Sequence, residues 1–311
     1  MVNQITVLMA VYNGMPYLAE QIASLQAQSD RHFRVLLQDD GSTDGSLAFL
    51  EQVARQDPRF SLSPLSGRHL GASANFLSLM SQAEGYVALC DQDDVWSRDR
   101  LLFCRQAMEE EEKRVGKDTP VLVHSDLSVV DQSGAELHPS FIAHQGWNPK
   151  ETRLSQLLVL NCATGCTMLF NEPLRRLVAD HVREKDIIMH DWLITQAAAA
   201  FGQIHYIDLP LVSYRQHGHN TIGASQSGPI GRLMKALASP KKARDRVDLT
   251  FREAAVLRNS FGQLLPEDAH ACVEAYLSIR DLPKTKRYGA LKKGNHLMPR
   301  LFPRLGQIFL T

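Results

Sequence analysis

Apolar and polar residues alternate along the first 130 residues in the pattern of an α/β protein. Short apolar runs such as Ile5–Val11 and Tyr86–Cys90 predict buried strands, and the spacing of Leu18, Ile22 and Leu25 predicts a helix. The same reasoning gives further strands at 33–37 and 121–123 and further helices at 46–56, 75–83 and 99–112. Repeated strand–helix units predict a mostly parallel, doubly wound sheet with ligands at the carboxyl ends of its strands.

The rest of the chain is less regular. The pattern predicts a turn at 131–134, a helix at 191–201 and short strands at 166–170, 204–206 and 211–214. The last eighty residues favour helices and are interrupted by five prolines. We therefore divide the chain into a body at 1–225, with parts at 1–130 and 131–225, and a helical, basic extension at 226–311.

Charge changes this picture when it is followed along the chain. Lys and Arg together number 34, as do Asp and Glu, and the ordinary apolar content excludes disordered and collagen-like classes. Residues 1–231 nevertheless carry a net charge of −9, whereas residues 232–311 carry +9, and no acidic residue follows Asp281. An acidic body with a basic tail predicts a tail that contacts an anionic surface, and the alternatives are a solvated helical face or a dimer contact.

Several classes of protein and site are disfavoured. There is no apolar run of eighteen residues, and residues 1–10 lack the basic start of a secretory signal, so we expect neither a spanning helix nor secretion. Five Cys, without paired spacing, fit a reducing cytoplasm. Cys162 and Cys166 have no second Cys/His pair nearby that would complete a zinc site. The tail carries no nucleic-acid recognition motif, so we expect no nucleic-acid partner.

The strongest chemical signal is a group of acidic residues directly after the strand at 86–90. Asp91, Asp93 and Asp94 would repel one another at the end of a buried strand, and isolating them from water would be costly. A Mg²⁺ or Mn²⁺ ion would relieve that repulsion and leave positions for phosphate oxygens. Turn formation and helix capping are the alternative explanation.

Three other segments carry weaker signals. The acidic stretch at 39–44 predicts either a turn with a helix cap or carboxylates that accept from a base N–H or a ribose hydroxyl. At 190–192, Asp191 would either cap a helix or deprotonate an acceptor hydroxyl beside the ring of Trp192. His217 and His219 follow the last predicted strand, and imidazole binds Mn²⁺.

Taken in order, these segments resemble the family 2 inverting glycosyltransferases of the GT-A fold. The resemblance rests on the run that ends in Tyr12-Asn13, on the acidic motifs at 39–44 and 91–96, on Gly71 with Asn75, and on 190–192. The segment at 214–217 and Asn220 extend it, so that it covers about residues 4–222. The motif at 91–96, together with Arg-Gln-His-Gly at 215–218, is most similar to a bacterial rhamnosyltransferase-like branch that builds surface polysaccharides.

The resemblance implies a donor site for a nucleotide-diphosphate sugar, linked to dTDP or UDP, within residues 1–130. It implies that the nucleotide and sugar are contacted by residues near the strand ends, namely Ala10, Tyr12, Asp39, Asp40, Gly71, Asn75 and Asp91. A Mn²⁺ or Mg²⁺ ion would be bound by Asp93, with help from Asp91 and His217. Arg68 and His69 would contact phosphate.

The resemblance also implies an acceptor site within residues 131–225. Asp191 matches the catalytic base, which takes a proton from an acceptor hydroxyl as it attacks the anomeric carbon from the opposite face. His190 stands where the family has a glutamate, Gly165 falls in the acceptor-side wall, and Trp192 would offer its ring to a sugar. The expected acceptor is a glycan or a lipid-linked glycan.

The implied role is synthesis of O-antigen, capsule or a similar polysaccharide, by a cytoplasmic enzyme attached peripherally to the inner face of the bacterial plasma membrane. A metal-dependent nucleotidyltransferase is one alternative, and it would need a Gly-rich, basic phosphate loop after the first strand. A non-catalytic glycan-binding module is the other, and it would not need the carboxylates at 91–94. No motif specifies the oligomeric state.

Overall fold

The structure is a computed structural model that describes residues 4–217 and 240–299, together with 304, 307 and 308. The boundary expected at 225 lies outside these residues, as do His219 and Asn220.

A single sheet organises the described part of the chain. Its nine strands are β1 (Ile5–Val11), β2 (Phe33–Asp39), β3 (Phe60–Leu62), β4 (Tyr86–Cys90), β5 (Val95–Trp96), β6 (Val121–Val130), β7 (Glu136–His138), β8 (Met168–Phe170) and β9 (Gln203–Arg215). They lie in the order β3-β2-β1-β4-β8-β6-β9-β5, and β7 pairs with β6.

Helices follow most of the strands. They are α1 (Met15–Gln26), α2 (Ser46–Gln56), α3 (Ala72–Ser81), α4 (Arg100–Val115), α5 (Phe141–Gln145), α6 (Leu154–Leu157), α7 (Glu172–His181), α8 (His190–Phe201), α9 (Pro240–Phe261), α10 (Glu267–Leu277) and α11 (Lys284–Lys293). The helix predicted at 46–56 has the predicted bounds, whereas α3 and α8 begin before the predicted residues.

The sheet is parallel in its first half and mixed in its second. β1 pairs in parallel with both β2 and β4, and β2 with β3, as predicted. β8 is antiparallel to both β4 and β6, because it follows an irregular segment and not a crossover helix. The α/β fold class is confirmed, with this mixed half as a refinement of the mostly parallel sheet.

Two apolar cores cover the two faces of the sheet. One contains Val7, Leu37 and Leu101 against α1, α2 and α4. The other contains Leu8 and Leu193 and also takes in apolar residues of the C-terminal helices, such as Val247, Phe251, Leu257, Val273 and Tyr276. The described C-terminal helices are therefore docked on the body and share its core. No helix among the described residues is long and apolar enough to cross a bilayer.

Candidate active site

The carboxyl end of β2 carries two buried carboxylates, which backbone amides hold. Asp39 Oδ2 accepts from the N–H groups of Gly41 and Ser42, both at 2.9 Å, whereas its Oδ1 is buried without a described partner. Asp40 accepts from the N–H of Leu70 at 2.6 Å and from that of Gly71 at 2.9 Å. Both carboxylates therefore have a fixed orientation before any ligand arrives, and Asp39 keeps one free acceptor.

The rest of the 39–44 motif joins two loops. The backbone N–H of Asn13 donates to Ser42 Oγ at 2.8 Å, and that of Thr43 donates to Asn13 Oδ1 at 2.8 Å. Asp44 accepts from the N–H groups of Met15 and Ser46. The turn-and-cap explanation thus applies to Ser42 and Asp44, while Asp39 and Asp40 face the cleft edge.

Tyr12 lies at the end of β1, where Gln92 holds its backbone. The Gln92 side chain donates to the Tyr12 carbonyl at 2.9 Å and accepts from the Tyr12 N–H. The Tyr12 ring is 48% exposed and lies 5.1 Å from the ring of His69, which also contacts Asp40. His69 is therefore placed beside Tyr12 and Asp40, the expected nucleobase contacts, and not at the carboxylates of β4. Sequence reasoning missed the role of Gln92.

Three of the other expected donor residues lie in β1 or at the start of α3. Gly71 precedes α3 with φ of 81°, a conformation that favours glycine, and its N–H holds Asp40. Asn75 is 1% exposed in α3, and neither polar atom of its side chain has a described partner. Ala10 is half-buried in β1 and pairs with Gln38 of β2. Gly71 therefore orients the Asp40 carboxylate. The buried side-chain amide of Asn75 has an acceptor and a donor without a described partner.

The expected metal ligands Asp93 and His217 meet, although they are far apart in the chain. Asp93 Oδ2 lies 2.7 Å from His217 Nε2, and the imidazole stacks on Tyr17 with 4.9 Å between ring centroids. Asp91 lies close enough to Asp93 and Asp191 that burial, followed by these two charges, raises its pKa. A carboxylate–imidazole pair beside a second, destabilised carboxylate is a donor set that fits Mn²⁺ or Mg²⁺.

Arg215 holds the backbone next to the Asp93–His217 pair. Its guanidinium donates to the backbone carbonyls of Asp93 and Gln132 and forms an ion pair with Glu20, while its own N–H donates to Asp94. Arg215 belongs to the 214–217 segment that carries the resemblance, but no role was predicted for it. It links the end of β9 to the acidic loop after β4, and so brings His217 to Asp93.

A second group of possible metal-ligand atoms lies deeper in the protein. Asp91, Asp94 and Cys166 offer ligand atoms within 4.8 Å of one another. Burial raises the pKa values of both Asp94 and Cys166, and neighbouring carboxylates add to the effect. Because a thiol must lose its proton to bind a metal well, this buried set is a poorer site than Asp93 with His217.

Asp191 is the second residue of α8, and its carboxylate lies near enough to Asp91 to raise the pKa of that group. Its Oδ1 accepts from the Trp192 backbone N–H at 2.7 Å, and burial raises the pKa of the carboxyl group. His190 turns toward α3, where it stacks on Phe76 at 4.4 Å and lies 3.3 Å from Ser73 Oγ. Gly165 lies against both, since an added Cβ would be 3.1 Å from His190 Nε2 and 3.4 Å from Asp191 Cβ. The expected acceptor wall and the base are therefore in contact.

Trp192 is placed differently from the expectation. The side chain is 7% exposed, and its indole N–H donates to the Leu157 carbonyl at 2.6 Å. The indole therefore packs in the interior and is not the exposed sugar platform expected from the sequence. The physical reason is that a buried indole needs an acceptor for its N–H, and the last residue of α6 supplies one.

Comparison with known proteins identifies the family. Residues 6–178, more than half of the chain, match the Glycosyl transferase family 2 profile. The chain belongs to glycosyltransferase family 2. It is therefore a glycosyltransferase of the GT-A fold.

Individual relatives agree with this assignment. The chain is 25% identical over 230 residues to the dTDP-rhamnosyl transferase RfbG of Shigella flexneri, covering 70% of this chain and 75% of that protein. It is 33% identical over 98 residues to Bacillus subtilis TuaG, named for teichuronic acid biosynthesis, covering 31% and 38%. Staphylococcus aureus TarS (residues 1–349), solved with UDP-GlcNAc, shares the fold with a TM-score of 0.58 and 18% identity, covering 99% and 89%.

Proposed function

We propose that the protein transfers a sugar, with inversion, from a dTDP- or UDP-linked donor to a hydroxyl of a glycan or lipid-linked glycan in surface polysaccharide assembly. One observation carries the proposal. Asp93 Oδ2 lies 2.7 Å from His217 Nε2, and Asp91 lies near enough to both Asp93 and Asp191 that their charges raise its pKa, so the acidic loop after β4, the end of β9 and the start of α8 lie together. Neither a turn nor a helix cap accounts for that convergence.

The donor would lie along the edge formed by β1, β2 and β4. Asp39 Oδ1, Asp40 and the exposed ring of Tyr12 offer an acceptor, an oriented carboxylate and a stacking face to the nucleoside, with Ala10, Gly71 and Asn75 behind them. Asp93, His217 and Asp91 would hold a divalent ion, which neutralises charge on the departing diphosphate. The hydrogen bonds from Arg215 to the Asp93 carbonyl and to the Asp94 carboxylate would keep these ligands together.

The reaction then needs one proton acceptor and no protein nucleophile. Asp191 takes the acceptor hydroxyl proton while that oxygen bonds to the anomeric carbon, and the bond from this carbon to the diphosphate oxygen breaks on the opposite face. Burial raises the pKa of Asp191, which makes its ionised carboxylate a stronger proton acceptor than an exposed aspartate. Gly165 leaves room for the acceptor beside the carboxylate, and His190 supports the start of α8 from the side of α3.

Rhamnose is the proposed sugar, because RfbG is named for dTDP-rhamnosyl transfer. The test measures release of nucleoside diphosphate from dTDP-rhamnose, UDP-glucose, UDP-N-acetylglucosamine and GDP-mannose, with and without Mn²⁺. We expect the dTDP-sugar to be used fastest and an inverted product. Release of pyrophosphate from dTTP with a sugar phosphate would favour the nucleotidyltransferase alternative, and the absence of turnover with donor binding intact would favour a glycan-binding module.

Asp191→Asn tests the base directly. Removal of a general base costs about 10²- to 10⁴-fold, so we expect transfer to fall by that factor while donor binding, measured by calorimetry, stays within about twofold. Asp180→Asn, an exposed aspartate on the neighbouring helix α7, is the matched control. Transfer by Asp191→Asn at more than a tenth of the wild-type rate would contradict the assignment.

We also propose that the C-terminal helices contact an anionic membrane. Lys284, Lys286, Lys292 and Lys293 are exposed on α11, Tyr288 between them is 47% exposed, and no acidic side chain follows Asp281. Each basic residue near anionic lipid contributes on the order of 1 kcal/mol.

Charge reversal tests this contact. Changing these four lysines to glutamate should abolish sedimentation with vesicles that contain phosphatidylglycerol. Reversal of four exposed lysines of the body, Lys113, Lys117, Lys150 and Lys185, should leave sedimentation unchanged. Equal loss in both variants, or none in the first, would contradict a specific role for α11.

A further inference from the structure

Helix α9 brings a carboxyl group to the catalytic base from outside the matched part of the family. Its residue Glu253 lies 75 positions beyond the last residue of the match, Val178. The apolar residues Phe251, Ala254 and Leu257 of α9 share a core with Leu193 and Ile194 of α8. This packing places the side of α9 that carries Glu253 against the start of α8.

Glu253 is an unusual residue for such a position. Its side chain is fully buried, and neither carboxyl oxygen has a hydrogen-bond partner among the described residues. Burial of an unpaired carboxylate is costly, and a leucine or glutamine would pack there at a lower cost. Groups that are retained at such a cost are concentrated at functional sites.

The surroundings of Glu253 point to Asp191. Burial is the main cause that raises the pKa of Glu253 to about 8, and the charge of Asp191 adds to it. The backbone amide of Met189 and the exposed Arg252 on the same helix oppose that rise. Met189 is the residue before α8, and no side chain caps that helix end. The Glu253 carboxyl group therefore lies behind the helix turn that begins with His190 and Asp191.

We propose that Glu253 is a positioning residue for Asp191, through which the C-terminal helix α9 completes the acceptor side of the active site. The Trp192 N–H fixes one oxygen of Asp191 from within α8, and the Glu253 carboxyl group supports the same helix end from behind. This inference rests on the proposed role of Asp191 as the base.

The protonation states of Glu253 and Asp191 predict how kcat depends on pH. Because its pKa is raised to about 8, Glu253 keeps its proton at pH 7 and adds no second charge next to Asp191. Above about pH 8 Glu253 ionises, and repulsion between the two carboxylates displaces the start of α8. Wild-type kcat should therefore fall above pH 8, while Glu253→Gln, which cannot ionise, should lack this fall.

The stability of Glu253→Gln separates positioning from a structural role. The pKa of Glu253 is higher in the folded protein than in the unfolded chain, where it is near 4.5. Between these two values the unfolded chain gives up a proton that the folded protein keeps, so wild type loses stability as pH rises. Glutamine removes that loss, and the Tm of Glu253→Gln should exceed that of wild type by a margin that grows from pH 5 to pH 8.

The experiment compares full-length wild type, Glu253→Leu, Glu253→Gln and the control Glu267→Gln, in which an exposed glutamate of α10 is changed. With the donor used fastest among the four named above, we expect Glu253→Leu to lower kcat about tenfold at pH 7, as for a misplaced base, with donor KM unchanged. Glu253→Gln, which has the size of the protonated carboxyl group and no charge, should keep kcat within about twofold of wild type at pH 7. Glu267→Gln should match wild type in kcat and in Tm.

Two outcomes would overturn the inference. Unchanged kcat in Glu253→Leu would show that Glu253 does not act on the base, and a lower Tm in Glu253→Gln would show that its role is structural. If Asp191→Asn retains transfer, the proposed function itself fails, whatever the result for Glu253. If Asp191→Asn is inactive and Glu253→Leu is not impaired, only the positioning role fails.

Discussion

The donor side and the acceptor side of the cleft hold their carboxylates in opposite ways. Asp40 on the donor side accepts two backbone N–H bonds, and Asp39 accepts two through one oxygen. On the acceptor side Asp191 accepts from the N–H of its neighbour, and Glu253 has no described partner. Amide bonds fix a carboxylate as a binding group, whereas burial without partners favours its protonated form and makes it a better proton acceptor.

Asp91 lies where the two sides meet. It belongs to the acidic loop of the donor side, but burial and two neighbouring carboxylates raise its pKa, as on the acceptor side. A bound cation would reverse that shift, because opposite charge stabilises the ionised form. Under the proposed function, a bound cation would therefore convert this repulsive group of carboxylates into a binding site.

Among the substitutions that test this comparison, the largest loss of activity is expected when a proposed metal ligand is removed. Asp93→Ala or His217→Ala removes one half of the pair that is 2.7 Å apart, and we expect donor turnover to fall by roughly 10²-fold or more. The measurement is nucleoside diphosphate release as a function of Mn²⁺ concentration. Asp118→Ala, on an exposed turn, is the control. Unchanged metal dependence in both variants would contradict the assigned ligands.

A smaller effect is expected from crowding of the acceptor side alone. In Gly165→Ala the new Cβ would lie 3.1 Å from His190 Nε2 and 3.4 Å from Asp191 Cβ, so the base has to move. We expect kcat to fall about tenfold with donor affinity unchanged, as measured by steady-state kinetics and calorimetry. Gly289→Ala, in α11 with nothing within 4 Å, should leave kcat unchanged and raise Tm slightly. A loss of donor affinity in Gly165→Ala would show that the two sides are not separable.

The smallest effect is expected in the stability of the metal-free protein. The raised pKa of Asp91 means that the folded protein keeps a proton that the unfolded chain loses, so this residue destabilises the fold increasingly as pH rises above 3.8. Asp91→Asn should therefore gain stability relative to wild type up to the folded pKa, by at most about 1.4 kcal/mol per pH unit. Urea denaturation at several pH values in EDTA measures the difference. A difference that does not vary with pH would contradict the raised pKa.

The order of strands and helices was readable because local patterns suffice for it. The helix Ser46–Gln56 and the strands Ile5–Val11 and Tyr86–Cys90 have the predicted bounds. β9 was predicted as two strands, because Asp208, Leu209 and Pro210 interrupt its pattern. The structure keeps one strand there, since the register with β6 shifts beside Pro210 and pairing resumes after it. Such a bulge depends on the partner strand, which the pattern of one segment does not contain.

The candidate site likewise contains some residues that local motifs predict and others that they do not. Asp93, His217 and Asp191 were named from the ordered motifs, and the structure places the first two in contact. Gln92, Arg215 and Glu253 were missed, because their importance lies in what they touch and not in a local motif. Trp192 was misjudged because an aromatic residue beside a base can face either the cleft or the core.

The sequence by itself determined the alternation of strands and helices, the polar residues at the strand ends and the opposite charges of body and tail. These features depend on neighbours in the chain, through periodicity and turn chemistry. Only the tertiary structure decided which carboxylates are held by amides, which are buried without described partners, and that the helix α9, which carries the buried Glu253, shares a core with α8. The reason is that burial and electrostatic coupling depend on distances in space, and packing between remote segments sets those distances.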